Sequence, residues 1–162
     1  VTDDRGRRRL PERRITEDDV AALTERCSEA ADAYIRGDVW RYLSLSDHPS
    51  DYTLMPPYGG PTSVGLEYTE EAAQETSRLF ASGEATPVVV ETYVSGDLVV
   101  LAGVERQHAE VGGLPDQDWS LRLTIEFRRR GFRWQIVLRH ADPLVRAISI
   151  EHCAGLARGS DG

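Results

Sequence analysis

The chain contains no lysine: all 19 of its basic residues are arginine. Schiff-base chemistry and lysine general bases are excluded with it. Cysteine is scarce too. Cys27 and Cys153 stand far apart, without the spacing of a zinc finger or a CxxC site, so both read as reduced, mostly buried thiols. No apolar run approaches the length of a membrane span, and no apolar segment follows the arginine-rich start as it would in a secretory signal. The expectation is a cytoplasmic protein that does not engage a membrane. There is no phosphate-cradling glycine motif, no GxSxG and no nucleotide fingerprint, so no cofactor is expected.

What is present fits one domain. A chain of 162 residues with 40% hydrophobic and 28% charged residues can bury its own core. The net charge of −8 is unevenly spread. Residues 1–14 hold six arginines against Asp3, Asp4 and Glu12, a balance of +3, which leaves −11 on the rest. That acidic body repels nucleic acid, and none is expected as a partner. Residues 1–14 read as a disordered Arg-rich tail, 15–157 as the domain, and 158–162 as a flexible end.

Thr16 is a fitting N-cap, with Glu17, Asp18 and Asp19 in the first turn. Val20, Leu23, Cys27, Ala30, Ala31 and Tyr34 follow helical spacing, and Gly37 ends the segment. Asp38 can cap a second, shorter helix through Trp40 and Leu43. In DYTLMPPYGG a short strand is cut off by Pro56 and Pro57. Thr69 opens a third helix, TEEAAQETSRLFAS, stopped by Gly83. From Pro87 the period changes to two, and 88–94, 98–111, 119–130 and 132–141 read as a meander. A last short helix begins near Ser149. Helices first and strands afterwards predict an α+β fold, a curved antiparallel sheet wrapped around N-terminal helices.

A two-residue turn at Arg130-Gly131 would pair Phe127 with Trp134, Ile125 with Ile136, Leu123 with Leu138 and Leu121 with His140. Parity then turns Val99, Leu101, Gly103, Glu105 and Gln107 inward, with Glu105 beside Ile125. Val100, Ala102 and Val104 point outward with Val89 and Tyr93. So apolar an outer face is an expected subunit contact, hence a homodimer through it.

The order of elements, with DYTLMPPYGG, SGDLVVLAGVERQHAEVGG and DWSLRLTIEFRR followed by RWQIVLRHADPL, resembles the nuclear-transport-factor-like superfamily over roughly Ile15 to Leu144. Within it, the chain is similar to the SnoaL-like and ketosteroid-isomerase-like proteins, many of them without assigned function. The resemblance implies a cone-shaped fold with one internal pocket, and a homodimer through the outer sheet face. In ketosteroid isomerases the segment similar to DYTLMPPYGG carries an aspartate base; here that place holds Pro56, which cannot move a proton. The family's aromatic oxyanion donor lies on the first helix, where Tyr34 is the candidate.

Three residues are the catalytic candidates. His140 ends an apolar strand, where it serves either as an acid–base group near neutral pH or as a hydrogen-bonding residue that closes the sheet. Asp142 either orients His140 or fixes the chain exit before Pro143. Glu105, among apolar neighbours, is either a base of raised proton affinity or one half of an ion pair with an arginine. Trp40, Tyr52, Met55, Tyr58 and Trp119, with Tyr34, are the candidate ligand-binding residues for a small apolar molecule. His48 and His152 read as surface residues. His108 and Glu110 alternate on a strand but lack a third ligand in sequence, so no metal site is expected. Two functions follow: a cofactor-free acid–base isomerase, cyclase, dehydratase or hydrolase acting on an apolar carbonyl compound, or a non-catalytic binding or dimerisation module of the same fold.

Overall fold

A computed structural model of the protein describes residues 14–65 and 68–159; all of the expected N-terminal tail but Arg14, and the last three residues, lie outside them. The first helix, α1 (Glu17–Ile35), starts as its sequence dictates. The Thr16 hydroxyl accepts from the Asp19 backbone N–H while the Asp19 carboxylate accepts from the Thr16 N–H, a reciprocal capping box. The chain leaves α1 through Gly37 at φ +77°, where an added Cβ would meet the Phe80 carbonyl oxygen at 2.5 Å. Asp38 then caps α2 (Val39–Leu45) through the Arg41 N–H.

Three short segments and four long strands build one sheet: β1 (Thr53–Met55), β2 (Ser63–Val64), β3 (Phe80–Ser95), β4 (Leu98–Val111), β5 (Gln117–Asp118), β6 (Leu121–Arg130) and β7 (Arg133–Asp142). Their order is β2-β1-β7-β6-β4-β3, with β5 beside β4. The sheet is mixed and not wholly antiparallel, because β1 runs parallel to β7. α3 (Glu70–Leu79) begins at Thr69 as expected but ends early, since Phe80 already pairs with Val111 at the start of β3. Gly83 and Pro87 therefore lie inside a strand. Proline is tolerated there because β3 is the sheet edge. Ser149 caps α4 (Ile150–Arg158), which buries none of its residues.

α1 packs on β3 and β4 and against α2, covering one face of the sheet. Beneath it lies the main core, where Leu23 and Cys27 of α1 meet Val99, Leu101, Leu121, Leu123, Ile125, Phe127 and Ile136. A second cluster joins Ile35, Ala85 and Ala109 to Phe80 and Trp119.

The register departs from the expected one in four places, each with a local cause. The β6–β7 turn is Gly131-Phe132, with Arg130 opposite Arg133, because Gly131 takes the positive φ (+62°) that the first turn position requires. A bulge at Val137 then steps the pairing from Phe127–Ile136 to Glu126–Leu138. One extra residue reverses the parity of everything beyond it. Leu138 and His140 thus stand opposite Glu126 and Thr124 on the outer face, while Arg139 and Ala141 turn inward opposite Ile125 and Leu123. On β3 a second irregularity, between Val89 and Glu91, places Val89 inward opposite Gly103, against the core, while Tyr93 stays outward opposite Val100. The loop before β6 closes two residues earlier along β4 than parity assumed, since 117–118 form a strand of their own that pairs with 108–109. Glu105 consequently faces Leu121, and it is Leu101 that faces Ile125.

Candidate functional site

The polar centre of the inner face is an ion pair between two central strands. Arg139 of β7 donates from Nη2 to Oε1 of Glu105 on β4 at 3.0 Å. Glu105 is 5% exposed, one of few charged or polar residues buried in this core. Taking either charge out of water alone costs several kcal/mol, roughly, so each needs the other. The Val137 bulge is what makes the pair possible: without the extra residue Arg139 would point away. The two ends are not equally sealed. The Arg139 side chain keeps 20% of its surface accessible and that of Glu105 only 6%.

Four phenols lie near enough to the guanidinium for its charge to act on them. Tyr34 from α1, Tyr42 from α2, Tyr52 ahead of β1 and Tyr68 ahead of α3 all interact electrostatically with Arg139. Each follows from its local sequence. Tyr34 lies on the helix stripe of Cys27 and Ala30. Tyr42 shares a face of α2 with buried Val39. Tyr52, 1% exposed, is tied by its N–H to the Pro49 carbonyl and by its own carbonyl to the Gly65 N–H. Tyr34 stacks edge-on to Tyr42 (centroids 5.1 Å apart), and Phe80 lies 4.9 Å beyond Tyr34. His48 continues the row at 5.7 Å from Tyr42 and 4.4 Å from Tyr52, with its Nε2 3.3 Å from the Tyr42 hydroxyl.

Protonation states follow from burial. Desolvation raises the Tyr34 and Tyr42 pKa well above the phenol range and that of Tyr52 to about 12. All three are neutral hydroxyl groups at physiological pH. Desolvation also lowers His48 to about 4, against a weaker opposing pull from Asp47, so its ring is neutral. For Arg139 burial works against the charge, but the Glu105 carboxylate beside it favours it, and the guanidinium stays charged. Cys27 is pushed up to about 12, chiefly by burial and then by Glu105, and is an inert thiol.

The expected site residues divide. Tyr34 and Tyr52 stand in the phenol ring. Glu105 is in the same place, as the partner of an arginine. His140 is not brought to Glu105: it is exposed on the opposite face, beside Met55 in the parallel β1–β7 pairing. Asp142 does not orient it. Both Asp142 oxygens are taken by Arg122 (Nε 2.8 Å, Nη2 2.9 Å), and Oδ1 also accepts from the Leu144 N–H at 2.9 Å, which fixes the chain exit. Trp40 is 57% exposed and Tyr58 84% exposed, although Tyr58 is near enough for Tyr34 and Tyr68 to feel it. Trp119 belongs to the second core cluster and donates its indole N–H to the Ala109 carbonyl at 3.1 Å. Sequence reasoning missed Arg139, Tyr42, Tyr68 and His48. A signal for the first was there: Ile136, Val137 and Leu138 are three apolar residues in a row, where strict alternation allows no such run.

Two hollows lie beside this centre without including it. A crevice of about 10 Å³, room for one water, opens at the β3 irregularity between Cys27, Pro87, Val89, Gly103, Leu123 and Ile125. A surface groove of about 250 Å³ runs along Glu29, Asp32, Arg36, Asp38 and Arg41. Among the described residues no group of three or more His, Cys, Asp or Glu side chains is placed to hold a metal ion, and His108 is paired with Asp116 at 3.0 Å. No helix among them is long and apolar enough to cross a membrane.

No family model and no curated protein sequence matches this chain. Solved structures do match it in shape. One is a "putative dehydratase" from the NTF2-like family of Streptomyces avermitilis, at 23% identity and TM-score 0.58 over 80% of this chain and 99% of that one. Another is a "putative ketosteroid isomerase" from Shewanella frigidimarina, at 16% identity and TM-score 0.57 over 74% and 94%. A third, of unknown function with a cystatin-like fold, comes from Nostoc punctiforme, at 16% identity and TM-score 0.59 over 80% and 94%. At such identities the likeness is one of fold, and this chain has the NTF2-like, cystatin-like α+β fold.

Proposed function

We propose that the protein binds a small, largely apolar molecule through a carbonyl-type oxygen at the inner face of its sheet. The observation that carries this reading is Arg139: a buried cation with one side-chain acceptor, Glu105, and a ring of neutral phenols about it. A guanidinium offers five N–H donors, and Glu105 takes one of them through a bond of its own. Together with the hydroxyls of Tyr34, Tyr42 and Tyr68, which also bond to one another or to His48, it forms a polar end to an otherwise aromatic and aliphatic surface, the composition of a small-molecule site. The test is a thermal-shift and NMR screen of compact aromatic ketones against the whole protein. A binder is expected to perturb Arg139 Nε–H and to weaken about 2–10-fold on Tyr34→Phe, the loss of one neutral hydrogen bond. Binders that perturb only the outer face would overturn the reading.

A catalytic version of the same pocket rests on one contact, Tyr42 hydroxyl to His48 Nε2 at 3.3 Å. Neutral His48 would accept a proton by way of Tyr42 while Arg139 holds the developing oxyanion. Deuterium exchange at the α-carbon of a bound ketone, abolished by His48→Gln, is its signature. Binding without exchange leaves the non-catalytic reading.

The outer face carries a second proposal, self-association. Val88, Val90 and Tyr93 are exposed there beside half-buried Val100, Ala102 and Val104, with no helix of the described chain over them. A homodimer through this face is expected by light scattering at micromolar concentration, and Tyr93→Asp should yield monomers that keep their inner-face ligand.

A further inference from the structure

The charge count at the inner face says more about the ligand than the number of donors does. Arg139 and Glu105 cancel one another at 3.0 Å, and the groups packed about them from α1, α2 and the approaches to β1 and α3 are uncharged phenols, a neutral imidazole and a protonated thiol; the next charges out, Arg26 by Cys27 and Asp47 by His48, are again one of each sign. The Arg139 side chain retains accessible surface, and Glu105 almost none. On the pocket reading, an incoming oxygen would reach the guanidinium before the carboxylate, which is the more deeply buried of the two.

We propose that Glu105 is a specificity-determining residue: by neutralising Arg139 it sets the site to accept an uncharged carbonyl oxygen, as in a ketone, lactone or amide, and to reject carboxylates. This rests on the pocket reading given above and adds a sign to it. A carboxylate bound to the free edge of Arg139 would stand roughly 5–6 Å from the Glu105 charge. At the effective dielectric of a partly buried site that repulsion removes on the order of 10²-fold from the attraction that Arg139 alone would give a carboxylate, which must also give up its hydration to enter. A neutral carbonyl escapes the penalty and still takes charge-assisted hydrogen bonds from Arg139. The phenols reinforce the preference, since as protonated donors they suit an acceptor oxygen without adding positive charge. Glu105 is thus neither base nor nucleophile. It acts by controlling the net charge that the ligand sees.

The experiment compares acetophenone with benzoate, two probes of nearly equal shape that differ in charge. Each is titrated into the full chain at neutral pH, with the Arg139 Nε–H resonance and the tyrosine ring resonances as readout. Wild type is expected to bind acetophenone at least tenfold more tightly than benzoate. Glu105→Gln keeps the size of the side chain and an acceptor oxygen for Arg139 but leaves the site net positive, and the order should reverse. Tighter binding of benzoate by wild type overturns the charge-selection proposal while leaving the pocket in place, as does an unchanged preference in Glu105→Gln. Should Glu105→Gln fail to fold, the wild-type comparison decides alone. Millimolar concentrations of either probe that move no inner-face resonance sink the pocket reading, and this inference with it.

Discussion

Strand β7 is two strands in one. Before Val137, Trp134 and Ile136 lie against the core and Arg133 and Gln135 turn from it, as alternation requires. After Val137 the sense is inverted: an arginine points into the protein, and Leu138 and His140 point out. The first half holds the fold together, through apolar contact with Phe127. The second half spends stability on burying an ion pair, an arrangement that an apolar pair of similar volume would often equal or better. Two adjacent stretches of one strand thus serve different ends, and the residue that separates them carries no chemistry at all.

This contrast can be broken at its costly half first. Glu105→Ala is expected to destabilise the protein by about 3–5 kcal/mol, because Arg139 is left buried and uncompensated. In urea denaturation the double variant Glu105→Ala, Arg139→Met should lose clearly less than the sum of the two single changes, and strict additivity would mean that the pair does not couple. Next come the residues flanking the bulge. Ile136→Ala, at 6% exposure, should cost about 2–5 kcal/mol, whereas Leu138→Ala, half-buried on the outer face, should cost about 1 kcal/mol or less. Equal losses would place Leu138 in the core and remove the bulge from the account.

A third expectation concerns acid. The His48 pKa is depressed in the fold, from 6.5 to about 4, so the neutral ring contributes stability in full above about 6.5 and loses it as pH falls from there towards 4. His48→Gln should flatten the fall in urea midpoint across that window, relative to wild type; parallel curves would show that the ring is not desolvated. The smallest effect is expected outside. Arg122→Ala removes the ion pair to Asp142, but over half of the Arg122 side chain is exposed, and such surface pairs contribute roughly 0.2–1 kcal/mol. His140→Ala should leave inner-face ligand affinity unchanged.

Much of the architecture can be read from the chain because its signals are local. Thr16, Asp38, Thr69 and Ser149 each cap the helix that follows, and the inward set Val99, Leu101, Leu121, Leu123 and Ile125 is written in simple alternation. The site was legible only in part. Glu105 is legible as an inward carboxylate that pairs with an arginine, because β4 runs through it without interruption. Arg139 and His140 exchanged places because a bulge is decided by packing across strands, and no residue type announces it. The phenols were half-found for a related reason. Tyr34 and Tyr52 stand on recognisable elements, while Tyr42, His48 and Tyr68 converge only once α2, its following loop and α3 are folded together.

The long outer strand has a consequence for how the protein behaves in concentrated solution. β3 runs for 16 residues along the sheet margin, and an unpaired margin of that length is a template on which other chains polymerise. Here it is blunted at intervals. Pro87 offers no N–H, the irregularity at Val90 breaks the row of hydrogen-bonding groups, and Glu84 and Glu91 place negative charge along the rim. The opposite margin, β2, is only two residues long. Fibrous growth by strand addition is therefore discouraged at both ends of the sheet. Replacing Pro87 and Glu91 by threonine is expected to shorten the lag before thioflavin-positive aggregates form, with little change in the folded state.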